Sequence, residues 1–386
     1  MAMLKTLKIQ IIFGLVALLA AGSVLAAERP PLESRLIRVA IIKDASSLRL
    51  KIKGSYKITD SATKKVLSQG RNIKTTVTAY KEGILLAAEA FNNERILITA
   101  SDPDAFMIND RNFRGSIEII KNEKSSLLVV NHIDLEDYIK GILYHESSHY
   151  WPQEALKAQA VVCRTYALYQ TQKKESRDYD LTNDIYSQVY GGRVSERFRT
   201  NRAVEETVGQ VIFYAGKILP AFYHATCGGH TEDAAVLWDI NSPPLKGVTC
   251  DFCKESPHYQ WHNVLSKDEL VEKMQAGGYK IKDIGKIILL DKDRSGRYKN
   301  LKIISATGQI DMSVKDFRNV VGPNEIKSAI FQVKIAVGDI VFEGFGWGHG
   351  VGLCQWGAYF MAKEGYQYRE ILKYYYPESY VKALGL

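Results

Sequence analysis

The sequence predicts an α+β protein: antiparallel β-rich domains, a helical segment carrying a candidate catalytic acid, and a glycine-rich loop near the C-terminus. Three observations lead there. Short alternating apolar runs fill the chain from Arg35 to about Leu128, and a helical periodicity takes over at Leu135. Then "GFGWGHGVGLCQWGA", Gly344 to Ala358, packs five glycines into the nine positions from Gly344 to Gly352. At 386 residues, 46% hydrophobic and 10% aromatic, the chain can hold two domains or one domain with insertions. That composition excludes disordered, collagen-like and coiled-coil classes.

The first segment, "MAMLKTLKIQIIFGLVALLAAGSVLAAERP", sets Lys5 and Lys8 ahead of an apolar run from Ile11 to Ala21 and a V-x-A ending at Val24 and Ala26. It reads as a signal peptide over residues 1–27, cut after Ala26 or Ala27, with an uncleaved membrane anchor as the alternative. Either way the body of the chain is expected outside the cytoplasm, in the periplasm or on the cell-wall side of the cytoplasmic membrane. Loss of Lys5 and Lys8 with the leader lowers the formal charge from +8 to +6. A moderate positive excess suits anionic partners such as wall polymers. Export, and the lack of an RNP, helix-turn-helix or finger-like motif, argues against nucleic acid.

Residues 28–128 form an N-terminal β-rich domain, in which "LIRVAIIK", "LRLKIKGSYKIT", "ILLAAEAF", "RILITAS", "GSIEIIKN" and "SLLVVNHI" read as strands separated by turn residues. No cluster of reactive side chains occurs there, so it reads as scaffold or wall-binding surface. Residues 129–386 form the second domain. "LEDYIKGILYHESS" places Leu135, Tyr138, Ile139, Ile142 and Leu143 at helical spacing, and a second helix starts at Pro152, a residue suited to a first turn. Ala155, Ala158, Val162, Thr165 and Tyr166 give that helix a closely packing face. A short helix is expected from Ala203 to Gly209, followed by strands. A β-rich insertion lies around 258–340, with turns at Ser295-Gly296 and Thr307-Gly308. Two short helices split by Gly365 end the chain.

Three constellations could carry chemistry. In "YHESSHYWPQEALKAQAVVCRTY", Glu146 occupies a helix junction beside Tyr144, Tyr150 and Trp151, a partly apolar setting that favours a neutral carboxyl able to donate a proton. A cap or a surface charge is the plainer reading. Lys157 and Arg164, seven residues apart, share a helix side and could bind substrate or form salt bridges. In the glycine loop, His349 and Gln355 are candidate cleft residues, and Trp347 and Trp356 could stack on sugar faces or simply pack. Neither phosphate-loop nor dinucleotide chemistry fits that loop. Third, Cys227 and His230 form a C-x2-H pair and Cys250 and Cys253 a C-x2-C pair, a spacing that fits structural zinc. A disulfide from Cys227 to Cys250 or Cys253 is the competitor in an exported chain, and His224 is an alternative ligand.

"LEDYIKGILYHESSHYWPQEALKAQAVVCRTYAL", "YHATCGGHTED" and "GWGHGVGLCQWGAYFMAKEGYQYREILKYYYP" resemble the stage II sporulation protein D family, which includes the amidase-enhancer proteins of cell-wall metabolism. The similarity spans roughly Ile117 to Pro377. It implies a lytic transglycosylase acting on peptidoglycan glycan strands, with the glutamate at the position of Glu146 as catalytic acid and no cofactor required for the chemistry. Tyr166 joins the candidate cleft residues. Sporulation-type members are similar to enzymes that prefer strands already stripped of stem peptides by an N-acetylmuramoyl-L-alanine amidase. The sequence departs from the family pattern at Cys354, where serine is usual, and at Tyr144 to His149, where two histidines flank the acid. Zinc in some members is held by a different Cys/His set, so the ligands expected here rest on spacing. Two other readings compete: a glycan-binding enhancer of an amidase, and a zinc amidase, which would need an open metal position.

Overall fold

The computed structural model describes residues 35–384 apart from 174, 175, 177, 185, 186 and 307; the expected leader lies outside the described residues. Mixed α+β content with antiparallel sheets agrees with the class expected from the sequence. None of the described helices is long and apolar enough to cross a membrane.

The N-terminal half is built on an eleven-stranded sheet. Alternation along Ser47–Asp60 buries Leu48, Leu50 and Ile52 and leaves Arg49 and Lys53 exposed, the period-two pattern of a sheet with one covered face. Its hairpin partner, Val66–Tyr80, was not among the expected strands. It is paired from Ser47↔Thr78 to Thr59↔Val66 and fully buries only Val77. A strand held by its neighbour's ladder, with little apolar surface of its own, leaves no alternation to read.

The strand that positions the site is Leu127–Asp134, which lies between Leu36–Ala45 and Ser116–Lys121. It runs straight into helix α1 (Leu135–Glu146). Asp134 ends the strand and caps the helix, its carboxylate accepting the Glu136 amide at 2.8 Å. Glu136 and Asp137 add negative charge at the positive end of the helix dipole. All five apolar residues expected to share a face are buried. Gly141 lets α1 approach the Tyr190 ring, which would lie 2.4 Å from a Cβ at that position.

Helix α2 (Gln153–Lys173) is buried around its circumference from Ala158 to Leu168, because it runs between two cores. Leu156, Ala160, Cys163 and Ala167 face the core of the large sheet. Ala158, Val161 and Val162 face a second core, shared with the C-terminal helices. Helix α3 (Phe198–Glu206) starts before the expected Ala203 and stops earlier, at a Thr207 turn where the Gln210 amide bonds the Thr207 carbonyl. The remaining helices are α4 (Ala234–Trp238), α5 (Lys267–Ala276), α6 (Val314–Val321), α7 (Gln355–Lys363) and α8 (Tyr368–Tyr375). Residues 260–345 carry a third core, including Leu270, Leu301, Phe317 and Phe342, with two three-stranded sheets and helices α5 and α6.

Arg164 lies inside α2 with a fully buried side chain. It donates to both carboxylate oxygens of Glu136, at 2.8 and 2.7 Å, and to the carbonyl of Gln210 at 3.1 Å. Glu136 also accepts the Gly209 amide at 3.0 Å. One buried ion pair thus fastens α1, α2 and the strand Gln210–Tyr214 together. Arg164→Ala, which leaves the largely covered Glu136 carboxylate without its cation, is expected to cost about 3 kcal/mol in urea unfolding. Arg164→Lys should recover only part of that, since an ammonium cannot span the two oxygens as a guanidinium does.

Candidate active site

Glu146 is the last residue of α1, where the helix dipole presents its negative end and opposes a second negative charge. A cavity of about 820 Å³ opens over it, lined also by Tyr166, Tyr223, Trp238, Trp347 and His349. The residue keeps some solvent contact through this cavity, while its carboxyl sits deep among protein atoms. Burial raises its pKa to about 7, against hydrogen bonds from the Tyr223 hydroxyl and the Val189 amide that pull it down. Tyr138 and Cys163 also face the carboxyl, and burial raises the pKa of both, so neither adds charge at neutral pH.

Its hydrogen-bond surroundings have a direction. The Tyr138 hydroxyl donates to Gln188 Oε1 at 3.2 Å, and Gln188 Nε2 donates to the Tyr223 oxygen at 3.3 Å. The Tyr223 proton is thereby turned toward Glu146. The Glu146 carbonyl, one of the last in α1 without a helical partner, accepts Gln355 Nε2 at 3.0 Å. The same amide lies 3.5 Å from Gln159 Oε1, which ties the start of α7 to α2.

His349 is committed at both nitrogens. Nδ1 accepts the Val351 amide at 3.1 Å, so Nε2 carries the proton and bonds the Tyr223 carbonyl. Burial, with Arg318 and Arg297 nearby, pushes its pKa down to about 3. The ring is therefore neutral at physiological pH, and it locks the glycine loop onto the strand that carries Tyr223. The neighbouring His224 gives its Nδ1 proton to the Val351 carbonyl at 3.1 Å. Aromatic rings form one wall: Phe222 and Trp238 lie 4.4 Å apart between centroids, and Trp238 and His349 lie 5.0 Å apart.

Five of the residues singled out in the sequence, Glu146, Tyr166, Trp347, His349 and Gln355, line this one cavity. Lys157 and Arg164 do not. Lys157 is held by Glu154 at 2.8 Å and Glu206 at 2.7 Å, and Arg164 is spent on Glu136. Their shared helix side is real, but it meets acids: Glu154 on α2 itself, Glu206 on α3 and Glu136 on α1. The expected ligand set also changes. Cys227, Cys250 and Cys253 come together with Cys354, all four buried with their sulfurs within 4.8 Å of one another, a group that could hold a metal ion. His230 stands outside it, with Nδ1 2.6 Å from the Thr231 carbonyl, and so does the alternative ligand His224. Tyr223, Gln188 and Gln159 were missed; Tyr223 stands in the quoted "YHATCGGHTED", which drew attention for its cysteine and histidines.

Residues 123–214 match the stage II sporulation protein family, and residues 247–352 match a domain of unknown function. An uncharacterized protein of Brachyspira hyodysenteriae is 34% identical over 88% of this chain and 91% of its own length. The stage II sporulation protein D of Bacillus subtilis is 29% identical over 64% of this chain and 74% of its own. The amidase enhancer of Bacillus subtilis is 29% identical over 62% of this chain, which spans only 39% of that longer protein. The chain belongs to the stage II sporulation protein D family.

The Tyr223 hydroxyl stabilises the ionised form of Glu146, so removing it should favour the neutral acid. In Tyr223→Phe the Glu146 carboxyl should titrate about one unit higher than in the parent, followed by 13C NMR of labelled glutamate. An unchanged midpoint would show that the hydroxyl does not act on the acid.

Proposed function

We propose that the chain is a peptidoglycan lytic transglycosylase in which Glu146 serves first as acid and then as base. The observation that carries this reading is a carboxyl whose pKa is raised to about 7 at the base of an aromatic-walled cavity of about 820 Å³. The volume lies in the range of small-molecule sites. Among the described residues lining it, Glu146 is the sole carboxylic acid. Glycosidases that recruit water or form a glycosyl-enzyme use two carboxyl groups. A reaction whose nucleophile belongs to the substrate needs only one.

In that reaction the Glu146 proton passes to the glycosidic oxygen as the bond from C1 of N-acetylmuramic acid breaks, releasing N-acetylglucosamine at the new end. The resulting carboxylate takes the proton of the C6 hydroxyl of the same N-acetylmuramic acid, and O6 bonds to C1. The products are a 1,6-anhydromuramyl end and a regenerated acid, with no water consumed. Tyr223 steadies the carboxylate between the two steps, and Trp238, Trp347 and Phe222 offer faces for sugar rings.

Family membership supports a cell-wall-related role, and the relative named an amidase enhancer favours a second reading in which this chain binds glycan and assists a partner amidase. An exported location, on the wall side of the membrane, follows from either reading. Peptidoglycan, intact or stripped by an amidase, should yield anhydromuramyl ends by mass spectrometry with the parent chain. Glu146→Gln should lower that yield roughly 100- to 10,000-fold. No such ends from the parent on either substrate would overturn the transglycosylase reading in favour of the enhancer.

The acid must be protonated to start the reaction, so its competent fraction is full well below pH 7 and falls as pH rises through the Glu146 pKa of about 7. The kcat/KM for anhydromuramyl product should therefore fall about tenfold per unit above that point. A rate flat to pH 9 would exclude Glu146 as the acid.

A further inference from the structure

We propose that Cys227, Cys250, Cys253 and Cys354 form a closed four-thiolate site for a zinc-class divalent ion, one that fixes the roof of the cavity rather than taking part in chemistry. The four sulfurs come from three separate stretches of chain, are fully buried, and lie within 4.8 Å of one another. Cys227 and Cys253 are 3.4 Å apart at sulfur. Zinc held by four thiolates at about 2.3 Å spaces the sulfurs about 3.8 Å apart, so the cluster has nearly the required size. Soft sulfur donors select zinc over calcium or magnesium, and four ligands leave no open position for a substrate or water.

The surroundings suit sulfur as an anion. Cys354 accepts the backbone amides of Cys227 and Gly357, each at 3.3 Å. The Tyr375 hydroxyl lies 3.1 Å from the Cys250 sulfur. Such donors hold metal ligands in place and spread their charge.

The position of the site gives it consequence. Cys227 follows the strand Tyr223–His224, which pairs in parallel with Leu353–Cys354. Cys354 caps α7 through the Gly357 amide, and the next residue, Gln355, reaches the Glu146 carbonyl. An ion bound here ties together the strand bearing Tyr223, the start of α7 and the segment holding Cys250 and Cys253. Its effect on catalysis rests on the reading of Glu146 as the acid; the metal site itself does not.

The test uses the full chain purified without chelator, with metal content by mass spectrometry and thiol content in denaturant. One zinc per chain is expected. Exchange with cobalt should give thiolate charge-transfer absorption and the strong red-region bands of a tetrahedral site. Cys354→Ser should weaken zinc affinity by about 100-fold or more, beyond what outer-shell changes cost. His230→Ala and Cys163→Ser should keep the ion. If Cys354→Ser fails to fold, titrating the parent with a mercurial should release the zinc as the four thiols are capped. A metal-free chain whose intact mass shows two disulfides would overturn the proposal, as would zinc lost from His230→Ala and kept by Cys354→Ser. Zinc bound normally by a parent chain that yields no anhydromuramyl ends would overturn the proposed reaction and leave the metal site standing.

Discussion

Keeping the Glu146 carboxyl largely out of water is the constraint from which the rest of the arrangement follows. An ordinary glutamate is ionised at neutral pH and has no proton to give. Here burial raises its pKa to about 7, and its place at the negative end of α1 works in the same direction. A carboxyl so placed disfavours ionisation, and the fold must hold it there by other means. Asp134 seats the start of α1, the Arg164–Glu136 pair clamps it to α2, and Gln355 satisfies the carbonyl at its end. Each is a polar interaction placed where an apolar contact would not fix direction.

The two matched segments divide the work. Residues 123–214 contain α1 and α2, and with them the acid. Residues 247–352 contain Trp347 and His349, which line the cavity above it. A long-range contact joins the second segment to the site. Arg297, from the hairpin turn between Lys286–Lys292 and Tyr298–Ser305, donates to the carbonyls of Cys227 at 2.7 Å and His230 at 2.8 Å. Gly350 leaves it room, since a Cβ there would lie 2.4 Å from the guanidinium. Residues 260–345 therefore reach the loops around the cavity through a buried cation, in addition to packing their own core.

How much of this the sequence disclosed depends on how local the signal was. The periodicity from Leu135 to Leu143 located α1 and its buried face, and the glycine run located the loop bearing Trp347 and His349. Glu146 falls at the junction of two helices, where a cap is the plainer reading, and only the family resemblance marked it as an acid. What failed was information about partners distant in sequence. Lys157 and Arg164 lie on a common side of α2; spacing can pair Lys157 with Glu154 three residues before it, but not with Glu206, nor Arg164 with Glu136. The fourth cysteine, 101 residues beyond Cys253 in the numbering of the chain, was replaced in expectation by His230 because C-x2-H is a local pattern. Val66–Tyr80 escaped notice for a related reason: its strand character comes from a neighbour's hydrogen bonds, and its own side chains are mostly polar.

The hydrogen bond from Gln355 to Glu146 spans 209 positions of sequence. Synthesis delivers the acid long before its roof, and closing so long a loop is among the later events of folding. Until residues 347 to 355 arrive, the cavity over Glu146 lacks Trp347, His349 and Gln355, and part of the burial that raises its pKa is missing. The environment that raises the Glu146 pKa is thus assembled only when both ends of that contact are in place.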